Sequence, residues 1–469
     1  MNRSLLGKQV NKELIDELKN NTQALSSFLQ NQNDGTIVYA LEKLGRLENG
    51  YSKEPLLSLL NNKNENIRTL SIKNLAKISD VSLLPTFVKY ARLDESTEVR
   101  RESVSAVGRL RNEKAIPVLI EFLKDNDPKV VMQAIRGLLV FSQREEVKKE
   151  LKKLIDHPNE LIKEVINKEV NGIQYKSNNS QRHDEFPSSL KNTVVRGDVQ
   201  EILKHVPDES IHLTFTSPPY YNARDYSIYQ SYDEYLEFLR DVFKEVYRIT
   251  KEGRFFILNT SPIIIPRVSR QHSSKRYPIP FDIHPFLIEM GWEFIDDIVW
   301  VKPEFSAKDR NSSFRQHRKP LAYKPTAVTE YLMVYRKKTH KLIDWNIRQY
   351  DYKTVQESKV LGEIDQINTW NIDPTFDKTH TAVFPMELCL RVLKYYSFKN
   401  DLVFDPFGGS GTFSKAAQSL DRFFFTTEIS EKYFERIKEN IGQNVLFNTS
   451  FPIKYYSLQE FFKIIEVNK

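Results

Sequence analysis

The residues in which chemistry is first legible are Thr216-Ser217-Pro218-Pro219-Tyr220. Pro218 and Pro219 have fixed φ angles and no backbone N–H, so their carbonyls are free acceptors held in one place. Ser217 sets a hydroxyl just before them and Tyr220 an aromatic ring just after. Alone, such a run is an ordinary Pro-Pro turn. The second stretch is Asp405-Pro406-Phe407-Gly408-Gly409-Ser410-Gly411-Thr412. Its glycines let the backbone approach a ligand, and a helix beginning near Thr412 offers free N–H groups. The next strand ends in Glu428, a carboxylate placed to hold ribose hydroxyls. The turn is neither the dinucleotide G-x-G-x-x-G nor a P-loop, because no Gly-Lys-Ser/Thr follows. It suits a cofactor with adenosine and no phosphates.

The elements around these stretches alternate between strand and helix. Ile211, Leu213 and Phe215 alternate with His212 and Thr214, which predicts a short, half-buried strand running into the prolines. An amphipathic helix is expected over 232–250 and a buried strand over 254–259. A helix over 280–290 and strands over 292–301, 327–336, 402–404 and 423–427 follow. This alternation implies a mostly parallel, doubly wound α/β sheet. Ligands bind such sheets beyond the carboxyl ends of the strands, where strand order reverses. The strands ending at Thr216 and Phe404 are expected to flank that point, so that the proline and glycine loops face one crevice.

The N-terminal third has a different pattern. A helical phrase recurs at Thr36-Ile37-Val38-Tyr39-Ala40-Leu41, Asn66-Ile67-Arg68-Thr69-Leu70-Ser71, Glu98-Val99-Arg100-Arg101-Glu102-Ser103 and Lys129-Val130-Val131-Met132-Gln133-Ala134, and weakly at Leu161-Ile162-Lys163. The period is roughly 30 residues, that of stacked helical repeats. Each helix pair has an apolar stripe it cannot hide alone, so neighbours must stack into an all-α solenoid. The phrases resemble HEAT-like repeats of the short bacterial type over about residues 30–172. Such arrays present a surface to a protein or nucleic-acid partner. The domains expected are therefore repeats over 1–173, a polar linker over 174–192, an α/β domain over 193–450 and a C-terminal tail over 451–469. Within the α/β domain we expect a catalytic half (193–336), a target-recognition segment (337–369) and a cofactor half (370–450).

Composition sets the outer limits. With 469 residues the chain is too long for a single core. Its net charge of +7 mildly favours a polyanionic partner. No apolar run approaches a membrane span, and Met1-Asn2-Arg3-Ser4 leads into a charged amphipathic stretch rather than a signal peptide. The single cysteine, Cys389, sits in an apolar helical context. It excludes a disulfide framework or a cysteine-rich zinc site and suits a reducing cytoplasm. No residue is assigned to a metal.

Together, the proline and glycine stretches resemble the two signature motifs of the DNA amino-methyltransferases. The catalytic motif comes first and the cofactor motif last, as in the permuted β group. Gly197-Asp198, Val206-Pro207-Asp208-Glu209-Ser210, Trp300-Val301-Lys302, Thr329-Glu330-Tyr331 and His380-Thr381-Ala382-Val383-Phe384-Pro385 fit in the family's order. The resemblance covers about residues 193–447. It implies a permuted, S-adenosylmethionine-dependent methyltransferase fold that moves a methyl group onto an exocyclic amine of a base in double-stranded DNA. The Ser-Pro-Pro-Tyr form is most often associated with cytosine N4, with adenine N6 the alternative. Ser217, Pro218, Pro219 and Tyr220 would be catalytic. Asp405, Phe407, Gly408, Gly409, Ser410, Gly411, Thr412 and Glu428 would hold the cofactor, with Asp198 near its adenine. His380, Thr381, Ala382, Phe384 and Pro385 would cover its other side. The setting implied is a restriction–modification or defence system in a prokaryotic cytoplasm, on the nucleoid when bound to DNA. Methylation of cytosine C5 is rejected, since Cys389 lacks a Pro-Cys context.

Phosphate contacts are expected from two basic stretches. Arg267, Arg270, Lys275 and Arg276 lie in a run, 253–281, without Asp or Glu. Arg315, Arg318 and Lys319 lie in the second, and Lys302 precedes it. Two other readings compete: a repeat-based binding scaffold with an inactive methyltransferase domain, and methylation of RNA or protein. Intact Ser217–Tyr220 and Asp405–Gly411 argue against the first, and substrate competition would separate the second.

Overall fold

In the computed structural model the recurring phrases of the N-terminal third are helices packed side by side. The structure describes residues 11–47, 50–170, 183, 185–221, 229–265, 267–269, 271–306, 327–362, 364–375, 383–442 and 452–467. They divide into two units, Met1–Lys176 and Ser177–Lys469.

The first unit comprises α1 (Lys12–Lys19), α2 (Thr22–Gln30), α3 (Asp34–Lys43), α4 (Glu54–Leu57), α5 (Glu65–Lys77), α6 (Leu84–Leu93), α7 (Thr97–Arg109), α8 (Ile116–Phe122), α9 (Pro128–Leu139), α10 (Glu145–Lys152) and α11 (Glu160–Val170). Polar caps start the phrase helices: Asn33, Asn64 and Asp127 accept from the backbone N–H of Thr36, Asn66 and Lys129. α3, α5, α7 and α9 stack as one row, and α6 and α8 pack on it as a second. Ile72, Phe87, Val104, Leu119 and Ile135 are fully buried in the core of this unit. α7 and α9 touch backbone to backbone, since a Cβ on Gly108 would lie 2.9 Å from Gly137 Cα. Adjacent repeats are tied by Arg68, which grips Asp94 at 2.8 and 2.9 Å, and by Arg101, 2.7 Å from Asp127. α1 and α2 share this core, so the unit begins before the first recognisable phrase.

The second unit is built on a sheet of order β11-β1-β10-β9-β2-β3-β7-β6-β8. Its strands are β1 (Thr193–Arg196), β2 (Ile211–Thr216), β3 (Thr250–Thr260), β6 (Trp292–Val301), β7 (Thr329–Lys337), β8 (Thr369–Asn371), β9 (Leu402–Asp405), β10 (Phe423–Glu428) and β11 (Lys454–Ser457). β4 (Ile263–Ile265) and β5 (Lys275–Tyr277) form a separate hairpin. Pairing is parallel from β11 through β3, and β7 runs antiparallel to both β3 and β6. One face is covered by α12 (Val199–Leu203), α13 (Tyr232–Ile249) and α14 (Ile279–Met290). Also described are α15 (Ile343–Ile347) and α16 (Tyr352–Glu357). The other face is covered by α17 (Met386–Tyr396), α18 (Thr412–Ser419) and α19 (Glu431–Gly442).

β2 and β9 are paired neighbours, with Leu213 opposite Val403 and Thr214 opposite Phe404. The chain leaves β2 through α13 on one face and leaves β9 through α18 on the other. Strand order therefore reverses between them, as expected.

Four expectations need correction. β2 is buried on both faces, His212 and Thr214 included, because helices cover both sides of a central parallel strand. Residues 451–469 are not a tail: β11 pairs with β1 and α20 (Leu458–Val467) buries Phe461 and Ile465 in the core. The described end of the linker is part of the unit, since Leu190 is fully buried and Lys251 Nζ donates to Glu185 O at 2.7 Å. The segment 337–369 lies in part at the wrong end of the sheet for target recognition. Asn346 is held by Arg336 Nη2 (3.0 Å) and donates to Glu252 O (3.1 Å), and Tyr350 Oη donates to Asp401 at 2.5 Å. Glu252 and Asp401 stand at the amino ends of β3 and β9, and Arg336 at the adjoining carboxyl end of β7, opposite the proline and glycine loops.

Candidate active site

The carboxyl ends of β2 and β9 are joined by side chains. Thr216 Oγ1 donates to Asp405 Oδ1 at 2.7 Å, and Phe407 N–H donates to the same oxygen at 3.1 Å. Burial pushes the Asp405 carboxyl up to about 6, with these two donors opposing the shift. Beyond Asp405 the chain makes a turn that tolerates no side chain at Gly408, where a Cβ would lie 2.3 Å from Thr426 Cγ2. Gly408 N–H donates to Thr427 O at 2.9 Å, which seats the turn on β10. Gly409 and Gly411 have φ of 53° and 76°, the left-handed region that glycine enters without strain. Gly411 is the N-cap of α18. Ser410 is buried, and its Oγ lies 3.0 Å from Thr412 Oγ1.

Glu428 closes the turn from the next strand. Its Oε2 accepts from Gly409 N–H and its Oε1 from Ser430 N–H, both at 2.8 Å. Burial pushes this carboxyl up to about 7, against the pull of those N–H groups. Gly197 N–H donates to Glu428 O at 3.0 Å, which brings the Gly197-Asp198 turn alongside. Asp198 caps α12 by accepting from Gln200 N–H at 2.9 Å. Asp198, Asp405, the glycine turn and Glu428 thus stand together at the carboxyl ends of β1, β9 and β10. Phe384 stacks on Phe215 at 4.6 Å, and Pro385 caps α17. His380, Thr381 and Ala382 lie outside the described residues.

On the other side of Thr216, Ser217 is half-buried and Pro218 buried. The Tyr220 phenol donates to Glu330 Oε2 at 3.3 Å and also meets the hydroxyls of Ser217 and Ser261. Burial, and then the charge of Glu330, push this phenol far above its ordinary value. Its ring is therefore held as a neutral, fixed plate. Lys302 forms an ion pair with Glu330 and lies 4.8 Å over the Trp300 ring. Lys302 was expected on DNA phosphate; it is committed to Glu330 instead. Glu330 and Ser261 were missed as members of this site, although the Trp300-Val301-Lys302 and Thr329-Glu330-Tyr331 phrases contain two of the partners. β6 and β7 pair Trp300 with Glu330, and only that register unites the phrases.

The basic stretch after β3 forms the β4–β5 hairpin, on which Arg267, Lys275 and Arg276 are exposed. The hairpin is anchored beside the proline loop by Tyr277, whose ring packs on Tyr221 (5.0 Å) and Tyr232 (4.5 Å). Arg270, Arg315, Arg318 and Lys319 lie outside the described residues. Cys389 is fully buried in α17, as a small core residue would be.

The sequence profile of the DNA methylase family matches residues 211–439, and that of HEAT repeats matches residues 84–168. The type II methyltransferase M.ScaI of Streptomyces caespitosus is 30% identical over 252 residues, which are 51% of this chain and 77% of that protein. The type II beta methyltransferase M.BslI of Bacillus sp. (strain NEB-606) is 28% identical over 251 residues, and the match spans only 26% of its length. Among solved structures, the putative DNA modification methylase TTHA0409 of Thermus thermophilus, complexed with S-adenosyl-L-methionine, is 24% identical at a TM-score of 0.47. That overlay covers 57% of this chain and 98% of the other.

The chain belongs to the DNA methylases that modify an exocyclic N4 or N6 amine. Membership brings S-adenosylmethionine as cofactor, and the residues present fit it. Gly409 and Gly411 hold the turn beyond β9 in the left-handed conformation, and the carboxyls of Asp405 and Glu428, acceptors suited to an ammonium group and to ribose hydroxyls, stand on either side of it.

Proposed function

We propose that this protein methylates the N4 amine of cytosine at specific sites in duplex DNA, within a restriction–modification or defence system. The observation that carries the reading is Ser217: a neutral hydroxyl, not a carboxylate, precedes Pro218 at the carboxyl end of β2.

S-adenosylmethionine supplies an electrophilic methyl group. The chain's residues must make an unreactive nitrogen accept it. An exocyclic amine is a poor nucleophile because its lone pair is delocalised into the ring. The Ser217 hydroxyl and Pro218 carbonyl are the acceptors for its two N–H bonds, and drawing on both pulls the nitrogen towards a tetrahedral form. This is positioning and electrostatics rather than covalent catalysis. Tyr220 stacks on a base swung out of the duplex. Its tether to Glu330, itself balanced by Lys302, supports that role by keeping the ring in place and the phenol neutral. Asp405 and Phe407 would hold the methionine end of the cofactor and Glu428 its ribose hydroxyls, with Phe384 and Pro385 covering the other side. Once methylated, the nitrogen is acidic and releases its proton to water, so no strong general base is required. Arg267, Lys275 and Arg276 on the β4–β5 hairpin contact phosphates beside the flipped base.

The test is incubation with labelled cofactor and mixed-sequence duplex DNA, followed by mass spectrometry of the digested nucleosides. N4-methylcytosine is expected. N6-methyladenine would replace the cytosine reading by the adenine one, and label in RNA or protein alone would overturn both.

A further inference from the structure

The first row of repeat helices carries a line of cations towards the carboxyl ends of its helices. Lys77 of α5 and Arg109 of α7 stand at equivalent positions relative to their caps Asn64 and Ser96, and Arg46 stands at that position relative to Asn33. Lys73 of α5 and Arg136 of α9 form a second equivalent pair, relative to Asn64 and Asp127. Arg46, Lys73, Arg109 and Arg136 are exposed. Lys19 and Lys77 donate to the carbonyls of Arg46 and Gly45 respectively, which draws them to the carboxyl end of α3.

These charges feel one another. Burial and then Lys73, Lys19 and Arg109 push the Lys77 ammonium below its ordinary value. Glu102 is set against the group, 3.1 Å from Arg109, and Glu42 of α3 occupies the position that Lys73 and Arg136 hold on their helices. On the second row Arg92 pairs with Glu121 at 2.5 Å, Arg144 with Glu113, and Lys53 with Asp80 at 2.7 Å, each across adjacent repeats. On the first row Arg68 and Arg101, in the amino halves of α5 and α7, are likewise paired, with Asp94 and Asp127, and Arg109 meets Glu102; Arg46, Lys73 and Arg136 have no ion pair among the described residues. Like charges held close cost folding energy, so they persist most readily where a ligand supplies the counter-charge.

We propose that the α3–α5–α7–α9 row is a second DNA surface, binding the sugar-phosphate backbone without reading bases. Helices stacked about 8–10 Å apart repeat the cations along a line, which suits a polymer with regularly spaced anions. The inference rests on membership of the DNA methylases and not on which amine is modified.

The test uses the full chain and a fluorescent mixed-sequence duplex, with anisotropy read between about 50 and 200 mM salt. Lys73→Glu/Arg109→Glu/Arg136→Glu should weaken binding by about tenfold or more and reduce the slope of log K against log salt by about 3. Lys73→Gln/Arg136→Gln, which touches only exposed side chains, should reduce the slope by about 2. Lys73→Arg/Arg109→Lys/Arg136→Lys should keep wild-type affinity and slope. Unchanged affinity and slope in both charge-removing variants would overturn the proposal, as would an equal loss in the charge-conserving variant. Binding is read without methyl transfer, so an error in the proposed reaction cannot imitate either result.

Discussion

Thr216 donates its hydroxyl hydrogen to Asp405 at 2.7 Å, across 189 positions of sequence. The bond ties the residue before Ser217 to the residue before the glycine turn. It gives the buried Asp405 carboxyl one of its donors and sets the two loops side by side. Replacing the hydroxyl by a methyl group of similar volume strips that donor away. Thr216→Val should cost about 1–3 kcal/mol of stability, measured by urea unfolding, and weaken cofactor binding in calorimetry. Thr216→Ser should restore most of both.

Asp405 and Glu428 make opposite predictions for the free and the cofactor-bound protein. Both carboxyls sit above their ordinary values, at about 6 and about 7, because burial disfavours the charged form. Their contribution to the stability of the free protein is greatest below the unfolded values and falls as pH rises through 6 and 7. A ligand with an ammonium group and hydroxyls needs the ionised carboxylates, so affinity for S-adenosylmethionine should rise over the same interval. Calorimetric titrations from pH 5.5 to pH 8 should show affinity falling by up to about tenfold per pH unit on the acid side. Glu428→Gln should remove the upper step.

Ser217→Ala removes one proposed acceptor and leaves the cofactor half untouched. The rate of methyl transfer should fall by about a hundredfold or more, as for loss of one preorganised hydrogen-bonding group, while the Kd for cofactor stays within about twofold. Tyr220→Phe keeps the ring and cuts its bond to Glu330. It should slow transfer less than Tyr220→Ala, and single-turnover kinetics on an oligonucleotide duplex distinguishes the two.

Gly408→Ala puts a methyl group where Thr426 Cγ2 already lies, 2.3 Å from the ideal Cβ. Overpacking of this kind typically costs about 1–3 kcal/mol. The melting temperature should fall and cofactor binding should be lost. The double variant Gly408→Ala/Thr426→Ser should recover part of the stability.

Removing residues 452–469 takes away β11 and α20, hence the buried Phe461 and Ile465. The truncated chain should unfold at lower denaturant concentration and lose protection from hydrogen exchange along β1, which that strand covers. A free tail would have left both unchanged.

The local punctuation of the chain is written in the sequence. Pro218-Pro219 can neither continue a ladder nor adopt many conformations, and Gly409 and Gly411 occupy backbone angles few other residues reach, so both loops are legible from residue type alone. The repeat phrases are legible because an apolar stripe with a period of about 30 residues has one efficient way to be buried. The register of distant segments is not written in any window. Lys302 reads as a free cation until β6 and β7 set it against Glu330. The stretch 451–469 reads as a tail until β11 finds the open edge of β1. The segment 337–369 reads as a target-recognition segment until Asn346 and Tyr350 meet Glu252 and Asp401 at the far end of the sheet. In each case the deciding partner is a hydrogen bond or ion pair made by folding, between groups that have no relation along the chain. The sequence alone determined which loops could do chemistry; the tertiary structure decided which charges remain available to them, because pairing and burial exist only once the sheet has brought the strands together.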